Sequence, residues 1–283
     1  MKGSEEKRGA VCVCDLHTHS TASDGQYTPR ELVRLAKARG IQVMALTDHD
    51  NTDGLEEALQ AGEALGLQVL RGVEFSSEDY RNLHILGYGF PAGAPALEEM
   101  TAGLKKRRDQ RKYKICQFLR EQGVEVDLAL VEGLAKGGVI GRPHFAQALV
   151  QQGYVSNNRE AFERYLDTPA FQRFDRNKPS AEQCVKAIKA AGGKASLAHP
   201  YQILLGQDGP EDLEQLVIRL AGYGLDALEC FYPKHTPEQQ ARYLDLARRY
   251  GLQVTGGSDF HGERIKPDVE LARVELDLGW LVG

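Results

Sequence analysis

The chain has 283 residues, 42% hydrophobic and 27% charged, a balance that supports a buried core and contains no apolar run suggesting a membrane span. A net charge of −5 argues against a long electrostatic track for duplex DNA, but a small phosphorylated substrate needs only a local cationic pocket. Residues 1–9 are charged and lack the apolar core of a signal peptide, so a frayed N-terminus and a cytoplasmic location are expected. Five cysteines, with no paired spacing beyond Cys12-x-Cys14, read as reduced thiols filling the core.

Val11-Cys12-Val13 opens a strand that delivers Asp15-Leu16-His17-Thr18-His19, followed at once by Ser23-Asp24-Gly25. Side chains alternate along a strand, so His17 and His19 project from one side and offer half a metal site. Thr28-Pro29 starts a helix that Gly40 closes. Residues 42–46 form a buried strand ending in Thr47-Asp48-His49-Asp50. A helix over 55–65 stops at Gly66, a strand over 67–73 ends on Glu74, and Leu83–Gly87 is a short fourth strand. Strand, polar turn and helix alternate as in a parallel α/β sheet or barrel.

From residue 96 to 178 helices follow one another over 97–122, 127–134, 143–152 and 158–166, separated by Gly137-Gly138, Gly153 and Pro169. The first carries Lys105, Lys106, Arg107, Arg108, Arg111, Lys112 and Lys114, which cover several faces and are mostly solvated. The α/β pattern resumes with a capping box at Ser180 and Gln183. Strands over 194–198, 225–229 and 252–255 alternate with helices over 210–221 and 237–250. About seven strands result. The expected organisation is a barrel domain over 10–95 and 179–283, interrupted by a helical insertion over 96–178.

His17, His19, His49, Glu74, His199, Asp259 and His261 all stand at carboxyl ends of expected strands, the edge where barrel loops converge on one point. Core or surface histidines would be scattered. The mixture of imidazoles with carboxylates suits an open catalytic metal site better than a closed structural one. Asp48 and Asp50 read as acceptors orienting His49 or a loop, with a helix N-cap equally open for Asp50. Gly141-Arg142-Pro143-His144 opens a helix, and an arginine beside a helix N-terminus favours a phosphate. Lys234-His235 is either a substrate contact or surface loop.

His17-x-His19, Ser23-Asp24-Gly25, Thr47-Asp48-His49-Asp50, Glu74, Leu197-Ala198-His199-Pro200 and Gly257-Ser258-Asp259-Phe260-His261 resemble the successive motifs of the PHP (polymerase and histidinol phosphatase) family. The resemblance covers residues 12–262, and the helical insertion is similar to that of its small nucleotide phosphoesterases. It implies an α/β fold, a distorted (β/α)7 barrel with a mostly helical insertion. It also implies three divalent ions, manganese first, with iron or zinc as alternatives. One would be held by His17, His19, Glu74 and Asp259, a second by Glu74, His84 and His199, and a third by Asp24, His49 and His261; Asp24 stands where some relatives carry histidine.

The activity implied is removal of the 3′-phosphate from a nucleoside 3′,5′-bisphosphate, with Arg142 and His144 gripping the other phosphate or protonating the leaving group; the Lys234-His235 loop is open to either a substrate contact or a plain surface position. Alternatives are 5′-to-3′ trimming of short RNA, hydrolysis of nucleoside monophosphates, hydrolysis of a histidinol-phosphate-type ester, and a non-catalytic metal-binding module.

Overall fold

The computed structural model describes residues 11–135, 140–174, 178–204 and 212–282. The expected frayed terminus, the Gly137-Gly138 break and the beginning of the helix expected from Pro210 lie outside them. The chain divides into two compact units, one made of residues up to 101 and from 179 onward, the other of residues 102–178.

The elements in order are β1 (Val11–Thr18), α1 (Pro29–Ala38), β2 (Val43–Leu46), α2 (Leu55–Leu65), β3 (Gln68–Ser76), β4 (His84–Tyr88), α3 (Pro95–Glu121), α4 (Leu128–Ala135), α5 (Arg142–Gln151), α6 (Asn158–Ala161) and α7 (Pro169–Phe174). There follow α8 (Ala181–Ala190), β5 (Lys194–Leu197), α9 (Pro200–Leu204), α10 (Leu213–Tyr223), β6 (Ala227–Phe231), α11 (Pro237–Arg249), β7 (Gln253–Gly256), β8 (Val274–Asp277) and α12 (Gly279–Val282).

In the larger unit the eight strands form one mixed sheet in the order β7-β6-β5-β4-β3-β2-β1-β8. It departs from the expected seven-stranded parallel pattern in two places. β4 runs antiparallel to both β3 and β5. Only residues 77–83 join β3 to β4, and a parallel crossover needs about a dozen residues or more. β8, a short Val-Glu-Leu-Asp strand, pairs antiparallel with Val11–Cys14.

β8 therefore covers the first half of one edge of β1. The chain leaving β7 takes the second half: Asp259 N donates to His17 O at 2.8 Å and His19 N to Phe260 O at 3.0 Å. This nearly closes the sheet into a barrel at its carboxyl edge. Gly257 permits the approach, since a Cβ there would overlap the backbone nitrogen and Cβ of His17.

The sheet encloses Cys14, Leu16, Val43, Ala45, Leu70, Leu86, Tyr88, Ala198 and Leu276. Burying each large aliphatic chain contributes about 1.5–3 kcal/mol. Tyr88 donates from its hydroxyl to Leu16 O at 3.0 Å, satisfying the polar end it carries into this core. On β3 and β4 the same interior parity that buries Leu70 and Leu86 presents Glu74 and His84. β1 reaches the same point differently. Its register against β2 shifts between Asp15 and Thr18, so Leu16 enters the core while His17 and His19 both face Glu74.

The smaller unit packs Ile115, Phe118, Leu119, Val131, Phe145, Leu149 and Phe171 into a core of its own. The helix expected over 158–166 is short α6 followed by a π-helical turn, Phe162–Leu166. Pro169, read from sequence as a break, begins α7, because a first-turn proline lacks only an N–H the helix does not use.

Candidate metal centre

Glu74 is the hub. It is wholly buried, and its two oxygens serve different imidazoles. Oε1 lies 2.8 Å from His84 Nδ1 and 3.0 Å from His199 Nε2. Oε2 lies 3.2 Å from His17 Nε2, 3.2 Å from His19 Nε2 and 3.0 Å from His49 Nδ1. Two ligands bound about 2.1 Å from a common ion sit ~3.0–3.4 Å apart, so these separations fit shared coordination.

The unmet hydrogen-bonding capacity makes the same point. Among the described residues His17 Nε2, both ring nitrogens of His19 and Glu74 Oε2 are buried without a hydrogen-bond partner. Leaving such atoms unsatisfied costs about 1–3 kcal/mol each. Divalent cations would satisfy them together.

Three sets of donor atoms converge closely enough to hold an ion: His17, His19, Glu74 and Asp259; His19, Asp24, His49 and His261; and His49, Glu74 and His84. The first is the set the resemblance implied. The second adds His19 to Asp24, His49 and His261. The third pairs His84 with His49, whereas the resemblance paired it with His199, which stands beside the same Glu74 oxygen. His49 and His19 each belong to two sets. Asp259 and His199 adopt positive φ, 56° and 25°; the former is a conformation aspartate tolerates, and both are imposed by the loop each occupies.

The imidazoles divide by their surroundings. Burial opposes a charge on His17, but Glu229, Glu74 and Asp259 raise its imidazole well above the ordinary value. His49 is lifted to about 9, since Glu74 and Asp24 outweigh burial. Burial prevails at His84 and His261, which fall to about 3 and about 4. Glu74 is driven well below the carboxylate range, its desolvation overcome by His49, His17 and His84.

Several supporting residues were not assigned from sequence. Glu229 on β6 is wholly buried, accepts from His17 Nδ1 at 3.0 Å and from His199 N at 2.7 Å, and so aims two imidazole-bearing segments at once. Its only sequence signal is a lone carboxylate inside an apolar strand. Asp259 points Oδ1 at His19 Nε2, 3.3 Å away, while its other oxygen accepts from Lys266 Nζ at 2.6 Å, Tyr232 Oη at 3.3 Å and Gln202 Nε2 at 3.4 Å. Asp15 latches the following loop, accepting from Ser258 N, Ser258 Oγ and Ala272 N at 2.9, 2.6 and 2.8 Å.

Asp48 orients a loop, not His49. It accepts from Ser20 N, Ser20 Oγ and Ser23 Oγ at 2.7, 2.7 and 2.6 Å, holding the turn that carries Asp24. Asp50 is not a helix cap: Gly54 occupies that position for α2, and Asp50 Oδ1 accepts from Ser76 N at 3.0 Å. His235 is half-buried, with Nδ1 3.0 Å from Cys230 O and its ring 4.7 Å from Tyr243 and 5.2 Å from Tyr232, a more enclosed place than a surface loop.

In the smaller unit, Arg142 and His144 stand in the first turn of α5. Arg142 Nη1 lies 3.3 Å from Asp167 Oδ1 and 3.3 Å from Leu166 O. His144 Nδ1 accepts from Gly141 N at 3.0 Å, which places the ring proton on Nε2 when the imidazole is neutral.

A sequence model of the PHP domain matches residues 15–223. The chain is 36% identical to a phosphoribosyl 1,2-cyclic phosphate 1,2-diphosphodiesterase of Eggerthella lenta, covering 88% of this chain and 94% of the relative. It is 35% identical to a 5′-3′ exoribonuclease of Haemophilus influenzae, covering 87% and 89%, and 36% identical to a 3′,5′-nucleoside bisphosphate phosphatase of Chromobacterium violaceum, covering 87% and 86%. A solved structure from Bifidobacterium adolescentis, described as a metal-dependent phosphoesterase, superposes with a TM-score of 0.75 at 32% identity, covering 95% of this chain and 94% of that one. With a converging histidine and carboxylate cluster at the barrel's carboxyl edge, these matches establish that the chain belongs to the PHP domain family.

Proposed function

We propose that the chain is a metal-dependent phosphoesterase that removes the 3′-phosphate of nucleoside 3′,5′-bisphosphates, acting in the cytoplasm on small phosphorylated substrates. The observation that carries the reading is Glu74, a buried carboxylate whose two oxygens face separate imidazole groups, as a ligand shared between ions must. In this assignment His17, His19, Glu74 and Asp259 hold one ion, Glu74 with His84 and His199 a second, and Asp24, His49 and His261 a third, manganese being the preferred metal. Divalent ions held there would supply polarisation of the phosphate oxygens and a nucleophile made from water at neutral pH.

The protein's own groups aim and discriminate. Glu229 fixes the His17 tautomer, leaving Nε2 for the centre. Lys266, against Asp259, adds positive charge where phosphate would arrive. Arg142 and the Nε2–H of His144 grip the second phosphate at the start of α5, or His144 donates its proton to the leaving oxygen. His235, among Tyr232 and Tyr243, contacts the substrate's organic part. The relative acting on nucleoside bisphosphates supports this choice of substrate.

Phosphate release by manganese-loaded protein tests it, comparing adenosine 3′,5′-bisphosphate with AMP, histidinol phosphate and a 5′-phosphorylated short RNA. Preference for the bisphosphate with AMP as product is the expected result. Equal turnover of histidinol phosphate would remove the two-phosphate assignment.

A further inference from the structure

The metal centre leaves one strong sequence feature unused. Residues 105–114 hold seven basic side chains and one acidic one, a charge of +6 in a chain that totals −5, so everything else sums to −11. A solvated helix needs no such bias. We propose that this stretch of α3 is a docking surface for the backbone of single-stranded RNA.

The arrangement on the helix supports that occupant. Leu104, Ile115, Phe118 and Leu119 form the buried stripe of α3. On the other side Lys106, Gln110 and Tyr113 follow one another at helical spacing, and Tyr113 is 59% exposed. Lys105 and Lys112 flank that row on one side, Arg107 and Lys114 on the other, the two members of each pair about 10 Å apart along the axis. Lys112 Nζ lies 5.1 Å from the Tyr113 ring centroid and 2.7 Å from Glu132 Oε1. An aromatic face bordered by two rows of cations offers what a single strand presents, unstacked bases and regularly spaced phosphates. A duplex keeps its bases stacked inside, so Tyr113 would gain nothing from it.

The choice of RNA rests on the phosphoester reading above; the surface itself does not depend on which ester the metal centre cuts. Fluorescence anisotropy of full-length, metal-loaded protein with a phosphorothioate-protected RNA of about ten nucleotides tests it, at several salt concentrations. Wild-type affinity should fall with salt at a log–log slope of about −0.7 for each phosphate neutralised. Lys105→Glu, Lys106→Glu and Arg107→Glu together should weaken binding about a hundredfold at low salt and flatten the slope by about 2, with adenosine 3′,5′-bisphosphate turnover unchanged. Tyr113→Ala should cost about tenfold and leave the slope alone.

If the triple variant fails to fold, bisphosphate turnover falls with it, and the wild-type slope and Tyr113→Ala decide. Salt-independent binding, wild-type affinity in a folded triple variant or in Tyr113→Ala, or duplex RNA binding as tightly as the single strand would each overturn the assignment. Salt-dependent RNA binding in a protein that hydrolyses no phosphate ester would sustain the surface and end the phosphoester reading.

Discussion

The barrel unit and the helical unit place their charged residues under opposite rules. At the barrel's carboxyl edge, Glu74, Asp259 and the imidazoles of His17, His19 and His199 are buried, and neighbours aim several of the groups there: Glu229 holds His17 and the His199 backbone, Lys266 holds Asp259, and Asp48 holds the turn that carries Asp24. In the helical unit Lys105, Lys106, Arg107 and Lys114 are exposed, and Arg142 faces the carboxylate of Asp167. Buried charge must be matched or coordinated, which fixes geometry; exposed charge is screened by water and salt and fixes only a field. Substitutions should accordingly be severe and metal-linked in the first region, and mild and substrate-linked in the second.

The largest effect belongs to the hub. Glu74→Gln removes the charge both imidazole sets share, and turnover should fall by about 10³-fold or more, with bound metal lost in elemental analysis. A variant that kept its metal and activity would break the contrast outright. Glu229→Gln leaves every proposed ligand in place but weakens the hold on His17 and His199; metal affinity should drop by about 10–100-fold, measured by competition with a chelator.

In the proposed centre protons and metal would compete for the same imidazoles, which sets a pH dependence with a definite sign. His17 and His49 have folded-state pKa values above the ordinary histidine value, His49 at about 9. Their contribution to the stability of metal-free protein is therefore fully present below about pH 6.5; that of His49 is lost as pH rises through about 9, and that of His17 as pH rises through its own raised value. Metal needs the neutral rings, so apparent metal affinity should rise over that window by about tenfold per pH unit for each proton displaced. Thermal melts with and without manganese should diverge as pH increases; parallel curves would deny that these imidazoles bind the metal.

The mildest expected change lies in the helical unit. Arg142→Ala should raise KM for adenosine 3′,5′-bisphosphate by about tenfold and leave a plain monophosphate nearly unaffected. An equal loss on both substrates would assign Arg142 a structural role through its Asp167 contact.

Much of the centre could be read from the sequence because its residues sit where strands stop. His17-x-His19 and His49 follow apolar runs, and Gly257-Ser258-Asp259-Phe260-His261 follows the last strand of the expected set. Glu74 was legible too, although it lies inside β3, which continues to Ser76. What escaped depends on tertiary pairing. Glu229 sits mid-strand in Ala-Leu-Glu-Cys-Phe, and nothing local says that its partners are His17 and His199. Lys266 belongs to a loop whose path is set by Asp15, hundreds of residues earlier. β8 is short and half-polar, and becomes a strand only because Val11–Cys14 offers an open edge. The direction of β4 was readable in principle, from the shortness of the loop before it.

In the proposed centre Glu74 joins more than one ion. Crystals of manganese-loaded protein, with anomalous diffraction collected above and below the manganese edge, test it most directly. Three anomalous peaks are expected, two of them within about 2.3 Å of different Glu74 oxygens. A single peak, or peaks that Glu74 does not touch, would contradict it.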